Sequence, residues 1–275
     1  MFDMQIIEAN GARIPALGLG TWQLNDRAGA RIVEQALRLG YRHIDTAQAY
    51  ENEREVGEGL HASGVKRNDV FVTTKVRHTN LAPDVLERSV KESLARLRLS
   101  EVDLLLIHWP NPQIPLAETM GAMAKMKQSG FTKNIGVSNF TVALVEEAVK
   151  LSSVPIVTNQ IEWHPYLDET KVQEACRRHG ISVTAYCPIA RGRAVSDETL
   201  ARLGKKYGKT AGQVSLRWLV QKGAIVIPRT SKVERLSENM AIFDFELSAA
   251  DMAEVDALAK PAGRVVSVGW APSWD

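Results

Sequence analysis

Four side chains in this sequence make a coherent acid–base set. Asp45 and Tyr50 lie in the stretch Tyr41-Arg-His-Ile-Asp45-Thr-Ala-Gln-Ala-Tyr50-Glu-Asn-Glu53, where a short apolar run gives way to a helix start. Lys75 ends the run Val70-Phe-Val-Thr-Thr-Lys75, and His108 ends the run Val102-Asp-Leu-Leu-Leu-Ile-His108. A phenol is a poor acid at neutral pH, with a reference pKa of about 10. A nearby ammonium favours the phenolate and makes the phenol a better proton donor. A carboxylate can hold that ammonium, and an imidazole can orient a carbonyl oxygen beside the phenol. Singly, each residue has a plainer reading: Asp45 paired with Arg42 on the surface, Tyr50 as a rim aromatic, His108 as a packed core histidine. Their shared position is what distinguishes them, because all four fall at or just after the C-terminal end of a predicted strand.

The elements that would carry them alternate regularly. Gln5-Ile-Ile-Glu, Asn10-Gly11 and Ala12-Arg-Ile predict a hairpin, since Asn-Gly suits a type I′ turn. Strands are then expected at 16–20, 43–45, 70–75, 103–108, 134–137, 156–160, 182–186 and 224–227. Helices are expected at 28–39, 52–62, 84–97, 116–129, 141–151, 170–178, 197–207, 211–221, 233–241 and 249–258. Eight strands alternating with helices imply an α/β fold, a (β/α)8 TIM barrel with an N-terminal β-hairpin and extra helices near the C-terminus. We expect a single domain over residues 1–275. The rival is an open doubly wound sheet, which usually places a GxGxxG turn after its first strand. Here Gly18-x-Gly20 runs into Thr21-Trp22 with no third glycine, so a dinucleotide would have to be held another way.

Composition narrows the function. The net charge of +2, with no basic run longer than Lys205-Lys206, argues against nucleic acid as a partner. Two cysteines, Cys176 and Cys187, lack CxxC spacing and suggest free thiols in a reducing compartment. The N-terminus shows no signal-peptide pattern, and no apolar run reaches the ~18 residues of a membrane span. A cytoplasmic protein with no membrane partner is expected. The six histidines include no His-x-His pair, so no metal site is expected and a metal-dependent barrel hydrolase is disfavoured.

In a barrel the chemistry sits at the C-terminal strand ends. Those ends are Gly20-Thr21-Trp22, Asp45 to Tyr50, Lys75, His108-Trp109, Ser138-Asn139, Gln160, Tyr186 and Arg229-Thr230-Ser231. Asp45-Thr-Ala-Gln-Ala-Tyr50-Glu-Asn-Glu resembles the signature of the aldo-keto reductases. So do Gly18-Leu-Gly-Thr-Trp22, Leu106-Ile-His-Trp-Pro110, Ile135-Gly-Val-Ser-Asn-Phe140, Asn159-Gln-Ile-Glu162 and Ile227-Pro-Arg-Thr-Ser. The resemblance runs in order from about Ile6 to the C-terminus. The short loops and the ending Trp270-Ala-Pro-Ser-Trp-Asp275 look most like the bacterial 2,5-diketo-D-gluconate reductases.

The resemblance implies NADPH-dependent reduction of aldehydes and ketones, with 2,5-diketo-D-gluconate or methylglyoxal-like dicarbonyls among the candidate substrates. It makes Tyr50 the proton donor, with Lys75 lowering its pKa, Asp45 pairing with Lys75, and His108 orienting the carbonyl. Replacing Asp45 would then be milder than replacing Lys75, because the ammonium remains. Gly20, Thr21 and Asp45 are cofactor-side candidates. Ser138, Asn139 and Gln160 match positions that hold the nicotinamide carboxamide, and Tyr186 matches the ring that stacks on the nicotinamide. Arg229, Thr230, Ser231, Arg235, Glu238 and Asn239 match the adenosine end, where the 2′-phosphate would lie. A guanidinium suits bidentate phosphate contacts, although Arg229 stands where the family usually has lysine, and these side chains could equally form a solvated helix face. Trp22, Trp109, Arg77 and Trp270 are expected to line the substrate pocket with Tyr50 and His108. Arg77 would either attract a carboxylate or point to solvent. The expected partner is a small carbonyl compound, and the expected assembly a monomer. The alternative is a barrel of the same fold that binds cofactor without catalysis, which the intact acid–base set argues against.

Overall fold

The structure, a computed structural model, describes residues 4–275. Strands β1 (Ile6–Ala9) and β2 (Ala12–Pro15) form the expected antiparallel hairpin. Asn10 and Gly11 turn it with φ of 45° and 86°, as a type I′ turn requires. The main chain then runs β3 (Leu19–Gly20), α1 (Asp26–Leu39), β4 (His43–Asp45), α2 (Glu53–Ala62), β5 (Phe71–Val76), α3 (Pro83–Leu97), β6 (Val102–Ile107) and α4 (Leu116–Gln128). It continues through β7 (Thr132–Ser138), α5 (Val142–Leu151), β8 (Ile156–Glu162), α6 (Thr170–Arg178) and β9 (Ser182–Tyr186). It ends with α7 (Glu198–Tyr207), α8 (Ala211–Gln221), β10 (Ile225–Val226), α9 (Val233–Met240) and α10 (Ala249–Asp256).

Strands β3 to β10 form one eight-stranded sheet in chain order, and every pair in it is parallel. Its two edge strands are bonded to each other as well. Gly18 N donates to Val226 O at 2.8 Å, Val226 N to Ala16 O at 2.8 Å and Gly20 N to Pro228 O at 3.2 Å. Gly20 is needed for this approach, because a Cβ there would stand 2.6 Å from the carbonyl oxygen of Ile227.

Strand β6 shows why its run from Leu104 to Ile107 is apolar throughout. Its side chains alternate between two cores, with Leu105 and Ile107 packing among the helices and Leu104 and Leu106 joining Val157 and Ile225 inside the sheet. Ala12 and Ile14 of the hairpin are buried in that inner cluster, so the hairpin fills one end of the sheet's interior. The chemistry-bearing residues occupy the opposite end.

Most expected elements stand within two residues of their predicted limits. The first strand is shorter than expected, with only Leu19 and Gly20 in regular pairing beyond a bridge from Leu17 to Val226. Four 3₁₀ turns, at Gln48–Tyr50, Arg67–Asp69, His78–Asn80 and Ala190–Ser196, have no counterpart in the sequence reading. Turns this short carry no periodicity to detect. Two of them border the candidate site.

Candidate active site

Asp45 closes β4, and the chain then bends into the 3₁₀ turn that ends in Tyr50. Asn52 holds this bend from behind. Its buried amide donates to Thr21 O at 2.6 Å and Leu24 O at 3.1 Å and accepts from Thr46 Oγ1 at 3.0 Å. Thr21 in turn donates from both N and Oγ1 to Asp45 O, each at 3.0 Å. Lys75 lies inside β5, one residue before its end, and His108 follows the last residue of β6.

The four residues meet as their types suggested. Lys75 Nζ lies 2.5 Å from Asp45 Oδ1, 3.0 Å from Thr46 O and 3.2 Å from Tyr50 Oη. Lys75 and Asp45 are 0% and 1% exposed, so this ion pair is wholly out of water. The Tyr50 and His108 rings meet edge-on with centroids 5.5 Å apart. Arg42 does not pair with Asp45, because its guanidinium donates to Leu37 O and Tyr41 O.

Burial and charge set the protonation states. For Lys75 the largest single influence is burial, which acts downward. Asp45 and Tyr50 together outweigh it and raise the pKa above the usual lysine value. Burial also raises the Tyr50 phenol above its ordinary value, against the downward pull of Lys75. Lys75 acts on the phenol downward, as expected, but burial is the larger influence, and the phenol stays protonated at neutral pH. His108 is driven well below the usual histidine range by burial, with Lys75, His78 and Arg77 adding to the effect. It is a neutral imidazole across the physiological range.

The amide side chains expected at the nicotinamide end are bonded to one another and to the acid–base set. Gln160 Nε2 donates to Asp45 Oδ2 at 2.8 Å, so the Asp45 carboxylate is shared between Lys75 and Gln160. Asn139, at φ 62°, donates from Nδ2 to His108 O at 2.9 Å and to Ser138 Oγ at 3.1 Å, and accepts from Tyr186 Oη at 2.7 Å. Ser138 Oγ donates to Gln160 O at 2.7 Å. Strands β7, β8 and β9 thus present a connected row of polar groups that ends at the Tyr186 hydroxyl.

At the other end, Arg229 donates to Trp22 O and Gln23 O, both at 3.2 Å, tying the segment after β10 to the loop after β3. Arg235 pairs with Glu238 at 3.0 Å on α9, and Glu238 also accepts from Thr210 Oγ1 at 2.7 Å. Thr230 Oγ1 accepts from Lys232 N at 3.0 Å and shapes the entry to α9, while Ser231 is exposed. The Tyr41 phenol donates to Leu236 O on the same helix at 3.2 Å. Glu238 and the Tyr41 phenol therefore brace the helix, and the two arginines keep exposed surface.

Around the mouth, Trp22 and Trp270 are 43% and 50% exposed, while Trp109 is buried. Trp270 stacks on His78 with ring centroids 4.6 Å apart, and Arg191 lies over the Trp22 ring at 5.6 Å. Arg77 is about half exposed, with its guanidinium 3.9 Å from Glu51. The sequence reading missed the anchor of the C-terminal segment. Glu162, at the end of β8, accepts from the backbone N–H of Val265 at 2.5 Å and Val266 at 2.9 Å. Arg264 pairs with Glu169 at 2.5 Å and lies 3.8 Å over the Trp274 ring, which meets Trp109 edge-on at 6.1 Å. The advance signal was Glu162, the one charged residue in a strand that is buried along its whole length.

Among the described residues no three His, Cys, Asp or Glu side chains cluster as a metal site would require, and no helix is long and apolar enough to cross a membrane. Cys176 and Cys187 are free thiols, and burial pushes the Cys176 thiol up to about 12.

Comparison with known proteins agrees with this geometry. The model of the Aldo/keto reductase family matches residues 16–260. Methylglyoxal reductase DkgB of Escherichia coli O157:H7 is 44% identical over 265 residues, covering 95% of this chain and 99% of that protein. Glyoxal reductase of Bacillus subtilis (strain 168) is 39% identical over 252 residues, 91% of each chain. A crystal structure assigned as a 2,5-diketo-D-gluconic acid reductase B superposes with a TM-score of 0.97 at 50% identity, covering 99% of this chain and 98% of the other. The strand-end Asp, Tyr, Lys and His, the eight-stranded parallel sheet and this extent of similarity together place the chain in the aldo/keto reductase family.

Proposed function

We propose that this protein reduces aldehydes and ketones to alcohols with NADPH as the hydride source, and that Tyr50 is the proton donor. The observation that carries this reading is the position of Lys75 Nζ, held by Asp45 at 2.5 Å and reaching Tyr50 Oη at 3.2 Å in a water-excluded strand-end site. Tyr50 Oη gives its proton to the carbonyl oxygen as the carbonyl carbon is reduced. The charge left on the phenolate is met by the Lys75 ammonium, which Asp45 keeps protonated. His108, neutral, serves as an uncharged hydrogen-bonding partner that orients the carbonyl beside the phenol.

The residues present fit the dinucleotide. Ser138, Asn139 and Gln160 offer amide and hydroxyl groups in one row, and among the described residues no protein group bonds Gln160 Oε1. Tyr186 supplies the aromatic wall. Gly20 and Thr21 line the approach from β3. The start of α9 lacks a side-chain cap, so its first N–H groups are free to meet an anion. Arg229, Thr230, Ser231 and Arg235 lie around that helix start, with Glu238 and Asn239 behind it. When bound there, NADPH would supply the hydride, and a structure of a Bombyx mori aldo-keto reductase with NADP, 34% identical with a TM-score of 0.90, supports this choice of cofactor.

The names of the relatives support small dicarbonyls of the methylglyoxal and glyoxal type, or 2,5-diketo-D-gluconate, as substrates. Trp22, Trp109, Arg77 and Trp270 would line the pocket that receives them. We further read the sheet, whose edges are bonded through Gly18 and Gly20, as a closed (β/α)8 barrel forming one domain over residues 1–275, acting as a cytoplasmic monomer. The test is turnover of methylglyoxal with NADPH by wild type and Tyr50→Phe. The variant should bind NADPH normally and lose most of kcat. A wild type that binds NADPH without reducing any aldehyde or ketone would instead identify a non-catalytic barrel, and near-normal turnover by Tyr50→Phe would remove the proton-donor assignment.

A further inference from the structure

Gln48 has no part in the chemistry above, yet it opens the 3₁₀ turn that Tyr50 closes. Its amide is buried and reaches two separate elements. Nε2 donates to Ser89 Oγ and Ser93 Oγ on α3, each at 3.1 Å. Oε1 accepts from the backbone N of Arg77 at 3.0 Å and from Asn80 Nδ2 at 3.1 Å, both in the segment after β5. The orientation of the amide follows from its neighbours. The Arg77 N–H can only donate, so the oxygen must face it. The two serine hydroxyls give their protons to Leu86 O and Ser89 O, so their oxygens face Gln48 as acceptors. Both donors and both lone pairs of the amide are therefore used.

Among the described residues, the only other side-chain hydrogen bond out of Ala47–Glu51 is that of the Tyr50 phenol with Lys75. Ala47 and Ala49 have no side-chain bonds to give, and Tyr50 N bonds only back to Ala47 O, at 3.1 Å. Glu51 leaves the turn at φ 57° and meets Arg77 at 3.9 Å in solvent. The contact between Tyr50 and Lys75 is thus set by where the turn stands, and Gln48 is the buried clamp within Ala47–Glu51 that fixes it to α3 and to residues 77–80.

We propose that Gln48 is a positioning residue for the Tyr50 phenol, clamping its turn so that Oη stays within reach of Lys75 and of a substrate carbonyl. The inference rests on the reading of Tyr50 as proton donor. It also joins the proton donor to the pocket wall, because His78, between Arg77 and Asn80, carries the ring on which Trp270 stacks.

The test is Gln48→Met, which keeps the side-chain length and removes all four bonds, measured with NADPH and methylglyoxal beside wild type and Tyr50→Phe. A displacement of about 1 Å at a reacting group costs on the order of a hundredfold in rate. The variant should lose roughly tenfold to a hundredfold in kcat, with KM and the Kd for NADPH within about threefold of wild type. The alkaline fall of kcat should move to higher pH, because a phenol drawn away from the ammonium is a weaker acid. A purely structural role would lower the melting temperature and leave kcat per folded molecule and the pH profile in place, and that result overturns the proposal. Should Gln48→Met fail to fold, the double variant Ser89→Ala/Asn80→Ala removes one bond on each side of the amide. A loss of kcat with the same alkaline shift supports the clamp, and an unchanged kcat overturns it. A wild type without turnover rejects the functional reading and this inference together, whereas an active wild type with an undiminished Gln48→Met rejects the inference alone.

Discussion

Asp45→Asn tests the acid–base set most sharply, because the burial of the pair argues for a larger effect than the mild one first expected. With the ammonium of Lys75 left in place, the substitution should be mild. Burial changes this. Lys75 and Asp45 are 0% and 1% exposed, and burial is the largest influence on Lys75, acting to deprotonate it. The carboxylate 2.5 Å away is what opposes that tendency most. Two unit charges about 4 Å apart interact by roughly 4 kcal/mol at an effective dielectric of about 20. Removing one member of a buried pair costs about 3–5 kcal/mol. With an unfolding entropy of about 2.1 cal/mol/K per residue, the 275-residue chain should melt about 5–9 °C lower. Without its carboxylate the buried ammonium loses the strongest influence that holds it protonated, so its pKa falls and the phenol's cation is weakened. General acid catalysis contributes roughly 10²–10⁴-fold, so kcat at pH 8 should fall within that range and recover as acid restores the ammonium. Lys75→Met should lose activity equally at every pH. The assay is NADPH oxidation with methylglyoxal from pH 5.5 to 9, with melting followed by circular dichroism. If Asp45→Asn lost the same fraction of kcat at both ends of that range, or melted within about 2 °C of wild type, the coupling of carboxylate to ammonium would be refuted.

Two further outcomes follow from the same structure. Arg235→Ala should weaken NADPH binding by roughly ten- to a hundredfold, the value of one charge-assisted hydrogen bond of about 1.5–3 kcal/mol, and leave NADH nearly unchanged; equal losses, read by quenching of tryptophan fluorescence, would reassign Arg235 to bracing Glu238 and the fold. Acid should weaken the fold through His43 and His108, whose imidazoles burial holds below the usual histidine pKa. Below about pH 6.5 the unfolded chain takes up protons that these folded sites refuse, so stability drops by up to about 1.4 kcal/mol per pH unit for each. Glu169 opposes them, because burial pushes its carboxyl up to about 7 and the folded state gains a proton there on acidification. Glu169→Gln should therefore steepen the loss between pH 7 and 5.5, and an unchanged or shallower dependence in urea unfolding would contradict this balance.

The sheet was legible because its physical demands are local and repeated. A strand buried on both faces is mostly apolar, as Val102–Ile107 is but for Asp103, and each helix beside it must show one apolar stripe. The strand-end chemistry was legible for a related reason. An apolar run that ends in Lys75 or His108 places a polar group at the sheet's rim, and the parallel order sends those rims to one side. What escaped were features fixed by tertiary contact. No spacing in the sequence links Glu162 to Val265, Arg264 to Trp274 or Gln48 to Ser93, and those pairings bind the C-terminal segment and the Tyr50 turn.

The same distinction explains why the roles assigned by resemblance were only partly separable once the side chains were placed. Gln160 belonged to the cofactor end and Asp45 to the proton end, yet they share a hydrogen bond of 2.8 Å. Asn139 belonged to the carboxamide site, yet both of its donors are taken by His108 O and Ser138 Oγ. In a low-dielectric site each of these bonds biases its neighbours. A carboxylate fixed by Gln160 on one oxygen and by Lys75 on the other cannot turn to solvate either alone. The Gln160 amide is therefore part of what fixes the carboxylate that holds Lys75. A group that bonds Gln160 Oε1 acts on the same amide whose Nε2 holds Asp45. The end of β8 is thereby linked to Tyr50 through the side chains of Gln160, Asp45 and Lys75.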